Sequence, residues 1–209
     1  MHRFPDARIL VFAKAPVPGA VKTRLIPALG AEGAAALHRE LLEDTLARLA
    51  RARIAPIELW CAPDATHPVF AALGQRFAIT LKVQRGADLG ARLLHAAQDA
   101  LAQVRAVVLI GCDCPVLGPD YLAEALTRLL DGGGADAVLG PADDGGYVLL
   151  ALREAASPLF TEMPWGGDRV AKMTRERMTR LGWRWRELAS LPDLDRPEDL
   201  AWYRGRLGA

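Results

Sequence analysis

The sequence predicts an α/β protein whose mostly parallel sheet carries helices on both faces. Short apolar runs alternate with longer segments in which apolar residues recur at helical spacing. One of these runs, AVVLI at 106–110, is apolar throughout, as a strand buried on both faces requires. The 209 residues suit one large domain over 1–209, and a chain of that length buries roughly 70% of its unfolded surface without a disulfide or metal staple.

Taken in order, 8–13 (RILVFA) reads as a strand followed by a Pro/Gly loop. A long helix over about 31–52 places Leu37, Leu41, Leu42, Leu46 and Leu49 on one stripe. A strand at 57–61, a short helix near 68–75, a strand at 77–83 and a helix at 88–103 follow. After the apolar strand at 106–110 come a helix around 119–130, a strand at 135–139 and another at 147–152. The last strand, 183–188, lies between a helix near 168–181 and one starting at 197. Ligands of such sheets bind outside the carboxyl ends of the strands, so the chemistry belongs to the loops there.

Composition narrows the function. Twenty-six Lys and Arg nearly balance 25 Asp and Glu, whereas nucleic-acid-binding and membrane-surface proteins tend to a basic excess. Three cysteines (Cys61, Cys112 and Cys114) form no disulfide framework and point to a reducing compartment. No apolar run approaches the ~18 residues of a membrane span. The first apolar stretch ends in a lysine and two prolines rather than a small-residue cleavage site. These features together predict a cytoplasmic protein that binds neither membrane nor nucleic acid.

Five loops carry chemistry. The first, after the first strand, holds Lys14, Lys22 and Arg24 within eleven residues, with Pro18 and Gly19 bringing backbone close to whatever binds. Such cations suit phosphate oxygens, Arg24 bidentately, although surface cations alone would also account for them. The second contains Gln84, Asp88 and Gly90. Asp88 is placed to cap the next helix or to line a nucleotide site. The third puts Asp113 directly after the apolar strand, where a buried carboxylate needs a partner. Mg2+ or Mn2+ is the natural one, because these hard ions take one or two carboxylates plus substrate phosphates. Backbone N–H groups in a turn are the alternative. Cys112 and Cys114 flank Asp113 without a matching Cys/His pair and read as packing residues.

The fourth loop contains Asp143, Asp144, Gly145 and Gly146. Turn chemistry explains all four, and so does a backbone that approaches a ligand while an aspartate addresses acceptor hydroxyls or assists proton transfer. In the fifth, Asp195 reads as a helix N-cap before Pro197, or as a second metal ligand if this loop returns to Asp113. The four histidines (His2, His38, His67 and His95) share no pattern and receive no catalytic role. Trp165, Trp183 and Trp185 suit core packing or an acceptor cleft.

The runs AKAPVPGAVKTRL, QRGADLGARL, GCDCPVL, GPADDGGYVLLAL, MPWGGDRV and DLDRPEDL, in this order, resemble the selenodomain-associated transferase family over almost the whole chain. They are also similar to phospholactate guanylyltransferases. Both resemblances imply the GT-A, or nucleotide-diphospho-sugar transferase, fold: a mixed sheet in an α/β/α sandwich. By the same resemblance Asp113 holds the metal that bridges the nucleotide phosphates, and Asp195, or else Asp193, completes its site. Lys14, Lys22 and Arg24 bind phosphates, and Gln84 and Asp88 face the nucleotide. Asp144, Gly145 and Gly146 address the acceptor or sugar. The sequence departs from the usual patterns in two places: the first loop lacks a Gly-Gly pair, and Asp113 is not in a D-x-D because residue 111 is Gly.

Three functions are compatible with these loops. The first is glycosyl transfer from a nucleotide sugar, with an acid such as Asp144 activating a small acceptor. The second is nucleotidyl transfer from a triphosphate to a phosphorylated acceptor, which the dense cations of the first loop favour. The third is nucleotide binding without turnover.

Overall fold

The computed structural model describes residues 1–131 and 134–207. Among them β1 (Ala7–Lys14), β2 (Ile57–Ala62), β3 (Thr80–Val83), β4 (Ala106–Ile110), β5 (Ala137–Pro141), β6 (Tyr147–Leu152) and β7 (Trp185–Glu187) form one sheet in the order β3-β2-β1-β4-β6-β5-β7. All pairings are parallel except those of β6 with β4 and β5. The reversal has a simple cause. Only residues 142–146 join β5 to β6, and a parallel return would need a crossover of roughly a dozen residues.

Alternate residues of each strand feed opposite faces, and both faces are buried. Ile9, Val11, Val108 and Ile110 pack with Leu42, Leu46 and Leu49 of α1 (Ile26–Ala52), Phe70 and Leu73 of α2 (Pro68–Phe77) and Leu122, Leu126 and Leu129 of α4 (Pro119–Leu130). On the other face Leu10, Val107 and Leu109 meet Leu93 and Ala97 of α3 (Leu89–Leu101) and Ala171 and Met178 of α5 (Val170–Arg180). A third cluster joins Leu37 and Leu41 of α1 to Leu194 and to Leu200 and Tyr203 of α6 (Asp199–Leu207). This is the α/β/α sandwich expected, and no described helix is long and apolar enough to cross a membrane.

Element edges differ from the expectation for local reasons. α1 starts at Ile26 and kinks at Gly30 (φ 71°, ψ 167°), a conformation that needs glycine. The regular helix therefore begins where its apolar stripe does. α2 runs on to Phe77, and Ala78 turns left-handed at its end, so β3 begins at Thr80 rather than 77. β5 starts at Ala137, β7 is shorter than 183–188, and α5 starts at Val170. α6 starts at Asp199 rather than 197: the Asp199 carboxylate accepts from the backbone N–H groups of Asp195 (2.9 Å) and Arg196 (2.7 Å). Asp195 is therefore not that helix's N-cap, and its own carboxylate is left to act elsewhere.

Candidate active site

A cleft of about 740 Å³ opens where β1 and β4 end, lined by residues from all five loops. The first loop turns sharply to reach it. Gly19 has φ +81°, and Lys22 itself is left-handed at φ 47°, ψ 40°, which costs an ordinary residue about 1–2 kcal/mol. The Lys22 side chain is 3% exposed, with Nζ 2.6 Å from Asp113 Oδ1 and 4.0 Å from Asp195 Oδ1. The ammonium also donates to the Leu194 carbonyl oxygen. One lysine thus ties together the first, third and fifth loops.

The fifth loop does return to Asp113. The Leu194 N–H donates to the Asp113 carbonyl oxygen at 2.8 Å, in register for Asp195 to face the same point. Arg24 forms a charged hydrogen bond to Asp195 Oδ2 and reaches the Gly166 carbonyl oxygen at 3.4 Å, linking the loop around 163–168 to the cleft. Trp165 lines that edge and meets Tyr147 edge-to-face at 6.2 Å, whereas Trp183 and Trp185 pack against the core beside α5.

Charges are arranged with an excess of carboxylate. Burial would lower the Lys22 pKa, but the charge and hydrogen bond of Asp113 outweigh it and hold Lys22 above its ordinary value. Burial would raise Asp113, and the same ammonium instead holds it below the usual carboxylate range. Among the described residues Asp193 has no such cationic partner. Burial, then the charges of Asp144, Asp195 and Asp113, push its carboxyl up to about 6. A divalent ion would relieve this crowding, and Asp113 and Asp195 already converge on one cationic group, so the oxygen donors fit Mg2+ or Mn2+. His38, Cys112 and Asp113 also bring one ligand atom each within 4.8 Å of one another. His38 Nε2 meets the Lys14 carbonyl oxygen at 3.0 Å, which leaves Nδ1 toward Cys112, but burial favours the neutral Cys112 thiol over the thiolate that zinc takes, so the trio suits zinc less well than the carboxylate pair suits Mg2+ or Mn2+.

The remaining expected residues divide into lining and scaffolding. Lys14, Gln84, Asp88, Asp144 and Gly146 line the cleft. Gln84 Nε2 is committed to the carbonyl oxygens of Trp60 (2.8 Å) and Ala13 (3.3 Å), bracing the ends of β1 and β2. Asp88 caps α3 by accepting from Ala91 N–H at 2.8 Å. Asp144 Oδ1 accepts from Gly146 N–H at 2.8 Å, and Asp143 is bonded by the Ser190 hydroxyl. Pro18, Gly19, Gly90 and Gly145 are not among the lining residues; the glycines serve the backbone. A Cβ on Gly90 would collide with the Phe160 carbonyl oxygen, and one on Gly145 (φ +91°) with that of Asp168.

A second hollow of about 500 Å³ adjoins the first and shares Asp144, Asp193 and Asp195 with it. Asp143, Pro192, Arg196, Asp199 and Trp202 complete its wall. Sequence reasoning missed His38, which tethers Lys14 and lines the main cleft. The signal was present: residues 34, 38, 41, 42 and 45 form the buried stripe of α1, which places His38 under the first loop.

Residues 45–167 match the model of a family described as "Uncharacterized protein conserved in bacteria (DUF2064)". No curated protein matches the sequence. The crystal structure of a candidate nucleotide-diphospho-sugar transferase from Desulfovibrio desulfuricans G20 aligns with a TM-score of 0.86 at 34% identity, over 97% of this chain and 88% of that one. CMP:2-keto-3-deoxy-manno-octonic acid synthetase complexed with CTP aligns at 0.61 and 12% identity, over 97% and 98%. Glucosyl-3-phosphoglycerate synthase from Mycobacterium tuberculosis, in complex with Mn2+, UDP and glucosyl-3-phosphoglycerate, aligns at 0.58 and 13% identity, over 97% and 76%. At such identities the last two are likenesses of fold. The sheet and its helices are those of nucleotide-diphospho-sugar transferases and cytidylyltransferases.

Proposed function

The chain belongs to the DUF2064 family of proteins conserved in bacteria, and we propose that it is a metal-dependent glycosyltransferase moving a sugar from a nucleoside diphosphate to a small acceptor. The observation that carries this reading is the meeting of Lys22, Arg24, Asp113 and Asp195 in one cleft at the carboxyl ends of β1 and β4. Cations for phosphates and carboxylates for a metal are what a diphosphate donor needs, and the fold binds ligands at that edge. The resemblance of the loops to selenodomain-associated transferases and the likeness to the Desulfovibrio protein point the same way.

Asp113 and Asp195 would hold Mg2+ or Mn2+, which supplies positive charge to the departing diphosphate. Lys14, Lys22 and Arg24 bind its oxygens, and Arg24 fixes orientation through its planar fork. Asp144, at the rim shared by both hollows, accepts the proton of the incoming hydroxyl. The second hollow, with five aspartates and Arg196 in its wall, suits the hydroxyls of a sugar acceptor. Nucleotidyl transfer remains the second reading, favoured by the three cations of the first loop.

The direct test is 31P NMR of the protein incubated with Mg2+ (ion-exchange chromatography where Mn2+ is used) and either nucleotide sugars or triphosphates plus candidate acceptors. Release of nucleoside diphosphate from one nucleotide sugar, lost in Asp113→Asn, is the expected result. Release of pyrophosphate from a triphosphate would assign nucleotidyl transfer. Selective nucleotide binding with no product in either series would make the chain a binding module.

A further inference from the structure

Lys22 and a divalent cation need the same carboxylate oxygen. The ammonium sits 2.6 Å from Asp113 Oδ1 and 4.0 Å from Asp195 Oδ1, with its side chain 3% exposed. It is anchored from behind by the Leu194 carbonyl oxygen. An ion bound at that oxygen would meet the buried ammonium at van der Waals range, a like charge in a poorly solvated site. We propose that Lys22 bars free divalent cations from Asp113 and Asp195, and that a nucleoside diphosphate admits the metal by drawing the ammonium onto its phosphates. This rests on the donor class proposed above.

The local structure allows the swing while holding the backbone still. Leu25 N–H donates to the Lys22 carbonyl oxygen at 2.8 Å, and the Leu25 side chain is fully buried among α1 and α6 residues. The left-handed turn at Lys22 is therefore pinned on its C-terminal side. Movement is left to the flexible four-carbon stem, whose ammonium binds phosphate as readily as carboxylate. Lys14 and Arg24 line the same cleft and offer the phosphates a first foothold. Metal and nucleotide then bind with positive coupling, which is reciprocal by linkage.

The test reads Mn2+ binding by electron paramagnetic resonance, without turnover. It compares wild type, Lys22→Met and Asp113→Asn, each alone and with ADP, CDP, GDP or UDP. Wild type alone should bind Mn2+ weakly, and one of the diphosphates should tighten it roughly ten-fold or more after correction for Mn2+ held by the free nucleotide. Lys22→Met alone should bind Mn2+ roughly ten-fold more tightly than wild type and lose the enhancement by nucleotide. If Lys22→Met binds no more tightly while Asp113→Asn abolishes binding, the barrier falls and the metal site stands. If no protein binds Mn2+ under any condition, the metal site falls too. Should Lys22→Met fail to fold, the wild-type series decides, and Mn2+ binding indifferent to all four diphosphates overturns the proposal.

Discussion

Asp193 is held among Asp144, Asp195 and Asp113, and burial with those charges lifts its carboxyl from 3.8 to about 6. Between those values the folded protein keeps a proton that the unfolded chain has lost, so this residue's contribution to stability falls as pH rises through that window. Without divalent metal, Asp193→Asn should exceed wild type by about 1–2 kcal/mol at pH 7, after discounting for partial exposure, and the gap should close near pH 4. Urea unfolding at the two pH values measures it. Arg24→Ala is expected to act on binding: it loses the links to Asp195 and Gly166 and should weaken a nucleoside diphosphate several-fold more than the nucleoside, read by calorimetric titration. Asp113 was legible because a carboxylate directly after a buried apolar strand must find a partner, Lys22 because clustered cations suit phosphates, and Asp195 through the resemblance of its loop. Which partner each would take was not. Asp195 looked like a cap, and only the position of Asp199, four residues on, frees it for Arg24 and Lys22.

The turn between β5 and β6 carries the strain of this region. Gly145 combines φ +91° with a collision between any Cβ and the Asp168 carbonyl oxygen, and its own carbonyl accepts from Ala171 N–H at 2.9 Å. Gly145→Ala should cost about 2 kcal/mol or more and loosen the start of α5, whereas Gly19→Ala, at φ +81° with open space around the Cβ, should cost about 1 kcal/mol. Chemical denaturation separates the two. Helices and central strands were readable from periodicity and continuous apolar runs. The direction of β6 was not, since it follows from the length of the 142–146 connection, and the edge of β3 depends on the left-handed Ala78. His38 was overlooked because a histidine on an apolar stripe carries no motif; its value comes from the Lys14 carbonyl that the folded chain sets above it.

For the molecule as a whole, both faces of the sheet are closed by helices, and the candidate site lies at one edge, on loops and the strand and helix ends beside them. That separation lets the fold serve sugar and nucleotidyl transferases alike, so fold cannot choose between them. The choice rests on which donor the cleft takes. The most direct measurement is the shift in Tm with nucleotide sugars, triphosphates and bare nucleosides, each with and without Mg2+ or Mn2+. A ligand at a hundred times its Kd stabilises by about 2.7 kcal/mol, several degrees for a chain of this size. The expected result is stabilisation by one nucleoside diphosphate sugar that needs the metal and disappears in Asp113→Asn. The same shift in Asp113→Asn, or no shift with any nucleotide in the presence of metal, would contradict a metal-dependent nucleotide site.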